Sequence, residues 1–539
     1  MTPVANRPHR WLWQKLVRMD WPGAAPENSH PWTCLSMSFP LPTPFSASRI
    51  HSRSSIGMIY GLTSLQILHR CEKMSHERAD EVTRVVLDEF SKLPKKRKPP
   101  IRGNGVPEWV PLSGIVAKGT DPTSPFQCLS LATGMKCLPA NKMSQANGVI
   151  LHDWHAEILA LRAFNHFVLE ECRAVALGKR PSEYIRPRSD KELEEAEAAE
   201  VQGLGWNRQP YAWRDDVSLY MYCSESPCGD ASMELIMAAQ EDASPWDFWD
   251  PPVSDSATTT PPSLSSEDSM TRTTTTEIPN LPGRAYFSQL GVVRRKPARG
   301  DAPRTLSKSC SDKIALKQCT SLLSSLTSLL VSPKNVYLRN VILPESRFSS
   351  EGCARAFSAT PGIGRMSPLL TSDSWPGGYG FHPFTVETTE TEFDYSKRTV
   401  TARAEAAGIS TTGDNIASSP LAVTWSRNGL EESTINGVLQ GRKQLDRRGG
   451  SKLCRLRMWG LALEVSALVG AGGALAVQKL LDSGTYAEVK NGDLLTPRRL
   501  VKSRAREEAL RGWVQNVGDD TFGSAVAKPK SKIPRIPTS

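Results

Sequence analysis

Between residues 110 and 236 the chain alternates short apolar runs with amphipathic stretches, and no other feature constrains its fold as strongly. Apolar runs bounded by Gly and Pro predict strands, whereas an apolar residue at every third or fourth position predicts a helix. By these criteria the order is strand, strand, helix, strand and helix, at 110–117, 127–132, 154–169, 217–223 and 227–236. Strands that alternate with helices indicate an α/β core.

Two short motifs stand at the starts of the two predicted helices. His155-Ala156-Glu157 opens the first helix, and Pro227-Cys228 opens the second, 73 residues after the histidine. A His-x-Glu followed at a distance by Pro-Cys is half of the zinc deaminase signature. One imidazole and two thiolates hold zinc with a fourth position open for water, whose pKa the metal lowers. Glu157 is then placed to move protons between that water and the substrate.

The cysteine half of this signature is incomplete, because a Cys-x-x-Cys pair would need a cysteine where the chain has Ala231. Spacing alone leaves three candidates for the missing ligand, Cys223, Cys310 and Cys319. The chain has 11 cysteines, an odd number at low density, and no apolar segment follows the N-terminal charges as a secretory signal would require. We therefore expect a reducing compartment, in which cysteine and histidine serve as metal or catalytic groups.

Charge is unevenly distributed along the chain, and its distribution favours a polyanionic partner. The formal net charge is +10, but residues 1–73 carry +5 and residues 241–283 carry −7, which leaves +12 on the rest. The basic excess therefore lies in the part that is predicted to fold, and RNA is a partner of the right charge.

Three segments are predicted to differ from the main folded domain, which we place at 77–517. Residues 1–73 are rich in Arg, Ser and Pro, as expected for a disordered extension or an organellar transit segment. Residues 241–283 are rich in Ser, Thr, Pro and acidic residues, and they predict a disordered insertion within the domain. Residues 518–539 predict a disordered basic tail.

Two further stretches allow more than one interpretation. A helical stripe over 77–93 ends in the basic run 92–98, which could be a nuclear address, a phosphate contact or a solvated linker. The most apolar run, 460–477, contains Glu464 and four glycines, so we interpret it as a buried helix rather than a membrane span.

Five motifs in order make the chain resemble the eukaryotic RNA adenosine deaminases, or editases. They are Leu112-Ser113-Gly114-Ile115-Val116, Gly134-Met135-Lys136-Cys137-Leu138, Asp153-Trp154-His155-Ala156-Glu157, Ser226-Pro227-Cys228-Gly229-Asp230-Ala231-Ser232 and Ser309-Cys310-Ser311-Asp312-Lys313-Ile314-Ala315. The resemblance implies a cytidine-deaminase-like α/β core, a mixed sheet with helices on both faces, elaborated into one large adenosine-to-inosine editase domain. It also implies zinc bound by His155, Cys228 and Cys310, with Glu157 as the catalytic residue.

Two features resemble the tRNA-modifying branch of that family. Ser232 stands where the enzymes that edit long duplex RNA have Arg, and residues 296–301 read Lys-Pro-Ala-Arg-Gly-Asp. This likeness implies hydrolytic deamination of the adenosine 3′ of the anticodon, position 37, in tRNA-Ala by a monomer without an obligate protein partner or a membrane. We expect it in the nucleus or cytoplasm, unless residues 1–73 direct it to mitochondria. The alternatives are editing of another structured RNA, deamination of free nucleosides, and a catalytically silent zinc-containing RNA-binding protein.

The same resemblance implies a second cofactor, a buried inositol hexakisphosphate. The side chains that match its binding shell are Lys136, Arg162, Lys313, Tyr486, Lys490 and Trp513, with Arg455 where the family has Lys. Asp153 and Lys313 would connect this polyanion to the zinc site. The chain departs from the duplex-editing members at Leu161, Leu316 and Lys317, where those have Arg, Arg and Trp.

Overall fold

The computed structural model describes residues 64–239, 281–282, 289–296, 303–371, 374–411, 416–469 and 473–523. The predicted N-terminal extension and acidic insertion lie largely outside these residues. From Ser64 onward the described residues belong to one compact unit.

Most strands of the described residues join one mixed sheet. The strands are β1 (Leu112–Gly119), β2 (Gln127–Thr133), β3 (Ile185–Pro187), β4 (Tyr211–Trp213), β5 (Val217–Cys223), β6 (Leu281–Pro282), β7 (Arg294–Arg295), β8 (Val331–Ser332), β9 (Leu338–Pro344), β10 (Thr385–Thr389), β11 (Ala422–Ser426), β12 (Leu430–Ile435) and β13 (Val438–Leu439). The main sheet has the order β10-β9-β5-β1-β2-β11-β12-β13, in which β5, β9 and β10 are parallel and the other neighbours are antiparallel. Strands β3, β4 and β8 form a small second sheet, and β6 pairs with β7.

Helices cover the two faces of the main sheet. The described helices are α1 (Ser64–Lys92), α2 (Ala156–Ala176), α3 (Asp190–Ala199), α4 (Met233–Ala238), α5 (Cys310–Thr320), α6 (Ser350–Phe357), α7 (Lys397–Ala406), α8 (Arg455–Val469), α9 (Gly473–Leu481), α10 (Tyr486–Asn491) and α11 (Thr496–Glu508).

Successive side chains of the central strands enter different hydrophobic cores, as the period of a strand requires. In β5, Met221 joins the core that contains α2, whereas Tyr220 and Tyr222 join the core that contains α1. In β1, Ile115 lies on the α2 side and Val116 on the α1 side. This arrangement confirms the predicted α/β class with a mixed sheet between helical layers.

The predicted strands and the first predicted helix of the core are confirmed as β1, β2, β5 and α2, but three elements differ from expectation. Helix α1 begins at Ser64, well before residue 77. Pro227 does not open a helix directly, because Gly229 has a φ of 107° and regular helix starts only at Met233. The apolar run 460–477 is divided between α8 and α9.

The C-terminal segment also differs from the prediction of a disordered tail beginning at residue 518. Asp519 is 4% exposed, and its carboxylate accepts hydrogen bonds from the Gly148 amide at 2.7 Å and from His152 Nε2 at 2.6 Å. The ring of Phe522 stacks on Tyr486 with centroids 5.0 Å apart. Residues 518–523 are therefore packed into the domain, and 524–539 lie outside the described residues.

The apolar helices give no sign of a membrane span. Among the described residues, no helix is both long and apolar enough to cross a bilayer.

Candidate active site

Three side chains with metal-ligand chemistry converge where β2 and β5 end. The ligand atoms of His155, Cys228 and Cys310 all lie within 4.8 Å of one another. His155 Nδ1 is 3.8 Å from Cys228 Sγ, and the backbone N–H of Cys310 donates to that sulfur at 3.4 Å. A tetrahedral ion with bonds of 2.0 to 2.3 Å places neighbouring ligand atoms about 3.6 Å apart, so this donor set fits zinc.

Local structure explains how each ligand reaches this point. His155 is the N-cap residue of α2, and Cys310 is the first residue of α5. Helix α2 starts beside the end of β2, because the Ala156 amide donates to the Gly134 carbonyl at 2.8 Å. Gly134 has a φ of 138°, and a Cβ there would lie 2.2 Å from the Trp154 carbonyl oxygen, so only glycine permits this approach.

The loop that carries Cys228 is fastened to the start of α5. The Ser311 hydroxyl donates to the carbonyls of Pro227 at 2.9 Å and Cys228 at 3.1 Å. A Cβ on Gly229 would lie 2.3 Å from Ser309 Oγ, so this second close approach also requires glycine. These contacts hold the two cysteine segments together although 82 residues separate them in sequence.

The structure separates the three cysteines that spacing alone left open as the third ligand. Cys310 joins the cluster, whereas Cys223 lies in β5 and Cys319 lies nine residues further along α5. Burial raises the pKa of the Cys319 thiol to about 12, and it also raises the pKa of Cys223. Both behave as core thiols.

Glu157 lies in the first turn of α2, and its side chain is buried. Burial and the neighbouring Cys228 thiolate raise the pKa of its carboxyl group. A carboxyl group with a raised pKa beside a cluster of metal-ligand residues is suited to take up and release protons during catalysis.

A buried lysine that the sequence analysis did not assign to the site also touches the cluster. Lys296 Nζ donates to the two oxygens of Asp153 at 3.0 and 3.2 Å and to Cys310 Sγ at 3.1 Å. Burial opposes its charge, but Asp153 and the thiolates hold the pKa of Lys296 well above its usual value. The only signal in the sequence was its place at the start of the 296–301 stretch.

Asp153 connects the cluster to a second group of cations. Its carboxylate accepts from Lys313 and from Ser307 Oγ, the latter at 2.8 Å, and it also accepts from the His155 amide at 3.0 Å. Although burial acts in the other direction, Lys296 and Lys313 lower the pKa of Asp153 well below its usual value. Asp153, Cys137 and His155 form a second group of side chains that could bind a metal ion. The sequence analysis named Cys137 within a motif but did not predict it as a site residue.

Six of the seven side chains predicted to bind a polyanion belong to one cationic region, in which ring contacts and charge interactions connect them. Tyr486 lies under the guanidinium of Arg455, and Trp513 lies near Lys308 and Arg506. The six are Arg162, Lys313, Arg455, Tyr486, Lys490 and Trp513. The seventh, Lys136, is exposed, and its assignment to the polyanion shell stays a prediction.

The cations of this region depress one another's pKa values. Burial and the charges of Arg498, Arg455 and Arg506 lower the pKa of Lys490 to about 7. Burial and Lys313 lower the pKa of Lys308 to about 7 as well. The same causes act on Lys317, which the sequence analysis named as a departure from the duplex-editing members, and on Lys502, which it did not name.

Within the described residues, no carboxylate forms an ion pair with Lys317, Lys490, Arg498 or Lys502. Their hydrogen bonds go to uncharged groups: Lys490 Nζ donates to Ser325 Oγ at 2.8 Å, and Lys317 donates to the carbonyls of Leu322 and Leu323 at 3.0 Å. Buried charges are normally paired. This region, which we call the cationic pocket, therefore fits a bound polyanion.

Comparisons with known proteins agree with the geometry. A model of the adenosine-deaminase (editase) domain matches residues 130–517. The tRNA-specific adenosine deaminase 1 of Schizosaccharomyces pombe is 32% identical over 439 residues, which cover 81% of this chain and 94% of the relative. The protein of that name from Saccharomyces cerevisiae is 34% identical over 266 residues, 49% of this chain and 58% of the relative. The human protein of that name is 25% identical over 543 aligned residues, covering 82% of this chain and 98% of the relative.

Proposed function

This chain belongs to the adenosine-deaminase (editase) family, and on that premise we propose that it deaminates adenosine in tRNA by hydrolysis. The observation that carries the proposal is the convergence of His155, Cys228 and Cys310 within 4.8 Å, with buried Glu157 on the first turn of the helix that His155 caps. The names and coverage of the tRNA-specific relatives support tRNA as the substrate.

In this proposal His155, Cys228 and Cys310 hold zinc, which when bound would supply a water of lowered pKa. Glu157 takes one proton from the attacking water and delivers it to the purine ring nitrogen, where it stays. It then carries the second proton of that water from the new oxygen on C6 to the amino group, which leaves as ammonia while the C6 carbonyl forms. Burial keeps this carboxylate out of bulk water, so the proton it accepts passes to the substrate. Asp153 orients His155 because its carboxylate accepts a hydrogen bond from the His155 backbone N–H at 3.0 Å.

We further propose that the target is the adenosine 3′ of the anticodon in tRNA-Ala. A buried site can act only on a base that has left its stack, and extrusion costs less from a loop than from a duplex. Ser232 and the 296–301 stretch, which resemble the tRNA-modifying branch, support this assignment.

Inosine mapping on matched RNAs tests the substrate. The purified chain should convert position 37 of a tRNA-Ala transcript, whereas free adenosine and a long RNA duplex should stay unchanged. The same transcript with guanosine at position 37 is the control for position. Conversion of free adenosine at a similar rate would contradict the tRNA assignment.

We also propose that the cationic pocket holds inositol hexakisphosphate. The mutual lowering of lysine pKa values supports a permanently bound anion, as does the lack, among the described residues, of a carboxylate partner for Lys317, Lys490, Arg498 and Lys502. Acid extraction of freshly purified protein should release about one equivalent of the polyanion. Protein that is folded and active without any extracted phosphate compound would contradict this assignment.

A further inference from the structure

One edge of the main sheet carries two basic segments. The first is the turn 94–98, which follows α1, and the second is the loop 440–452, which follows β13. The two segments flank β12, and we call their exposed cations the basic edge. Its members are Lys95, Lys96, Arg442, Lys443, Arg447 and Lys452.

The turn 94–98 is fixed to the domain. The Arg97 guanidinium donates to Glu431 Oε1 at 3.1 Å and to Ser433 Oγ at 2.7 Å, both on β12. Leu93 is 5% exposed, which anchors the chain just before the turn. Lys95 and Lys96 therefore project into solvent from a rigid support rather than from a loose linker.

The loop 440–452 connects this edge to the candidate active site. It follows the Asn436-Gly437 turn, where the Gly437 carbonyl accepts from the Leu151 amide at 2.9 Å. A Cβ on Gly437 would lie 3.0 Å from the ring of Trp154, the residue before His155. The basic edge thus reaches from a turn beside the candidate active site to β12, which its two segments flank: Arg97 binds Glu431 and Ser433, whereas Ser451 binds Glu432 on the opposite face. Across the sheet, β12 lies two strands from β2 and four from β5, which corresponds to about 10 to 20 Å at a strand spacing of about 4.8 Å.

The acidic residues on this edge already have partners. Glu431 pairs with Arg97, Asp446 pairs with Arg448 at 3.2 Å, and Glu432 accepts from Ser451 at 2.6 Å. In the described part of the chain, no carboxylate forms an ion pair with the six cations of the basic edge. Their charges are therefore available to an external anion.

We propose that the basic edge binds the sugar-phosphate backbone of the RNA stem next to the deaminated loop, with Lys95 and Lys96 as its distal contacts. The inference rests on the proposed tRNA substrate. Phosphates spaced along a stem match exposed lysines and arginines distributed over such a distance, and these contacts position the RNA without reading its sequence.

The folded state of the turn favours RNA over a peptide receptor as the partner. A nuclear address is read as an accessible peptide segment, whereas Arg97 is held by β12 and Pro99 is buried. A surface of fixed ammonium groups is instead suited to a rigid polyanion.

The test compares the full chain with Lys95→Gln/Lys96→Gln and with the control Lys179→Gln/Lys334→Gln. Lys179 and Lys334 are exposed and lie outside the basic edge, after the last turn of α2 and before β9. Binding to tRNA and to an anticodon stem-loop is measured by fluorescence anisotropy at several salt concentrations.

For the Lys95/Lys96 variant we expect a Kd about five- to tenfold higher for both RNAs. We also expect affinity to fall less steeply with salt, with the negative slope of log affinity against log salt smaller in magnitude by about 2. The control should match the unsubstituted chain, and all three should have the same melting temperature. If the Lys95/Lys96 variant had the same Kd and the same salt dependence as the Lys179/Lys334 control, the inference would be wrong. Inosine formation by the unsubstituted chain tests the proposed function separately.

Discussion

His155, Cys228 and Cys310 come from three separate elements, and a different local contact brings each to the site. His155 is the N-cap residue of α2 and lies beside Gly134. Cys310 is the first residue of α5, and its backbone N–H donates a hydrogen bond to Cys228 Sγ at 3.4 Å. A helix N-terminus favours negative charge, so α5 stabilises the thiolate form that binds metal.

Replacing Cys310 should remove the metal, whereas replacing the other two candidate cysteines should not. Cys310→Ala leaves two protein donors, too few to retain zinc through purification. Cys223→Ala and Cys319→Ala are matched controls, because both thiols are buried outside the cluster. Zinc content is measured by atomic absorption on soluble protein, with circular dichroism to confirm folding. A folded Cys310→Ala protein with full zinc would show that the ligand set is wrong.

Individual residues differ in how far the sequence could identify them. His155 and Glu157 belong to one short motif, and Cys228 follows from the Pro-Cys motif 73 residues after His155. Cys310 could not be chosen from spacing, because its position depends on Ser309 and Ser311 contacts across 82 residues. Lys296 carries no sequence pattern of its own, since a lysine becomes a site residue only through burial against Asp153.

At the scale of elements, the start of α5 is held by a buried ion pair. Asp312, in its first turn, accepts from Arg365 at 2.7 Å, from the Arg294 amide at 2.9 Å and from Ser309 Oγ at 2.6 Å. Both partners of the ion pair are buried, with 5% and 1% of their side chains exposed. The geometry of Cys310 therefore depends on a residue outside all five motifs.

Arg365→Met should destabilise the protein by about 3 kcal/mol and weaken zinc retention, because it leaves the Asp312 carboxylate buried without its cation. Urea unfolding gives the free energy, and a competing chelator gives the metal affinity. Arg398→Met removes an exposed arginine from a surface ion pair and should change neither quantity. An Arg365→Met protein with unchanged stability and metal affinity would mean that this pair does not position α5.

Elements with a clear hydrophobic period were predictable, and those governed by single contacts were not. Strand β5 has the predicted bounds because Leu219, Met221 and Tyr222 alternate between two cores. The helix after Pro227 starts late because Gly229 adopts a positive φ to approach Ser309. The spacing of apolar residues along the sequence does not reveal a close contact of this kind between two distant segments.

At the scale of the whole molecule, the cationic pocket draws residues from distant parts of the chain. Lys317 lies in α5, Lys490 in α10 and Arg498 in α11. Folding brings these like charges together, which destabilises the domain unless an anion neutralises them.

Anion-free protein should therefore become more stable as pH rises from about 7 to about 9. The pKa of Lys490 falls from 10.5 to about 7 on folding, so between these values the unfolded chain binds more protons than the folded one, and stability increases with pH. Melting temperatures of anion-stripped protein should rise over this interval, and added inositol hexakisphosphate should abolish the rise. Lys490→Met should show a smaller rise. A flat profile without the anion would contradict the assigned burial of these charges.

The central claim is that Glu157 performs proton transfer beside a zinc ion held by His155, Cys228 and Cys310. The most direct measurement determines zinc content, tRNA affinity and inosine formation for the full chain and for Glu157→Gln. The account predicts about one equivalent of zinc and equal tRNA affinity in both proteins, with inosine formation at least about a hundredfold slower in the variant. Near-normal turnover by a zinc-loaded Glu157→Gln protein would contradict the account.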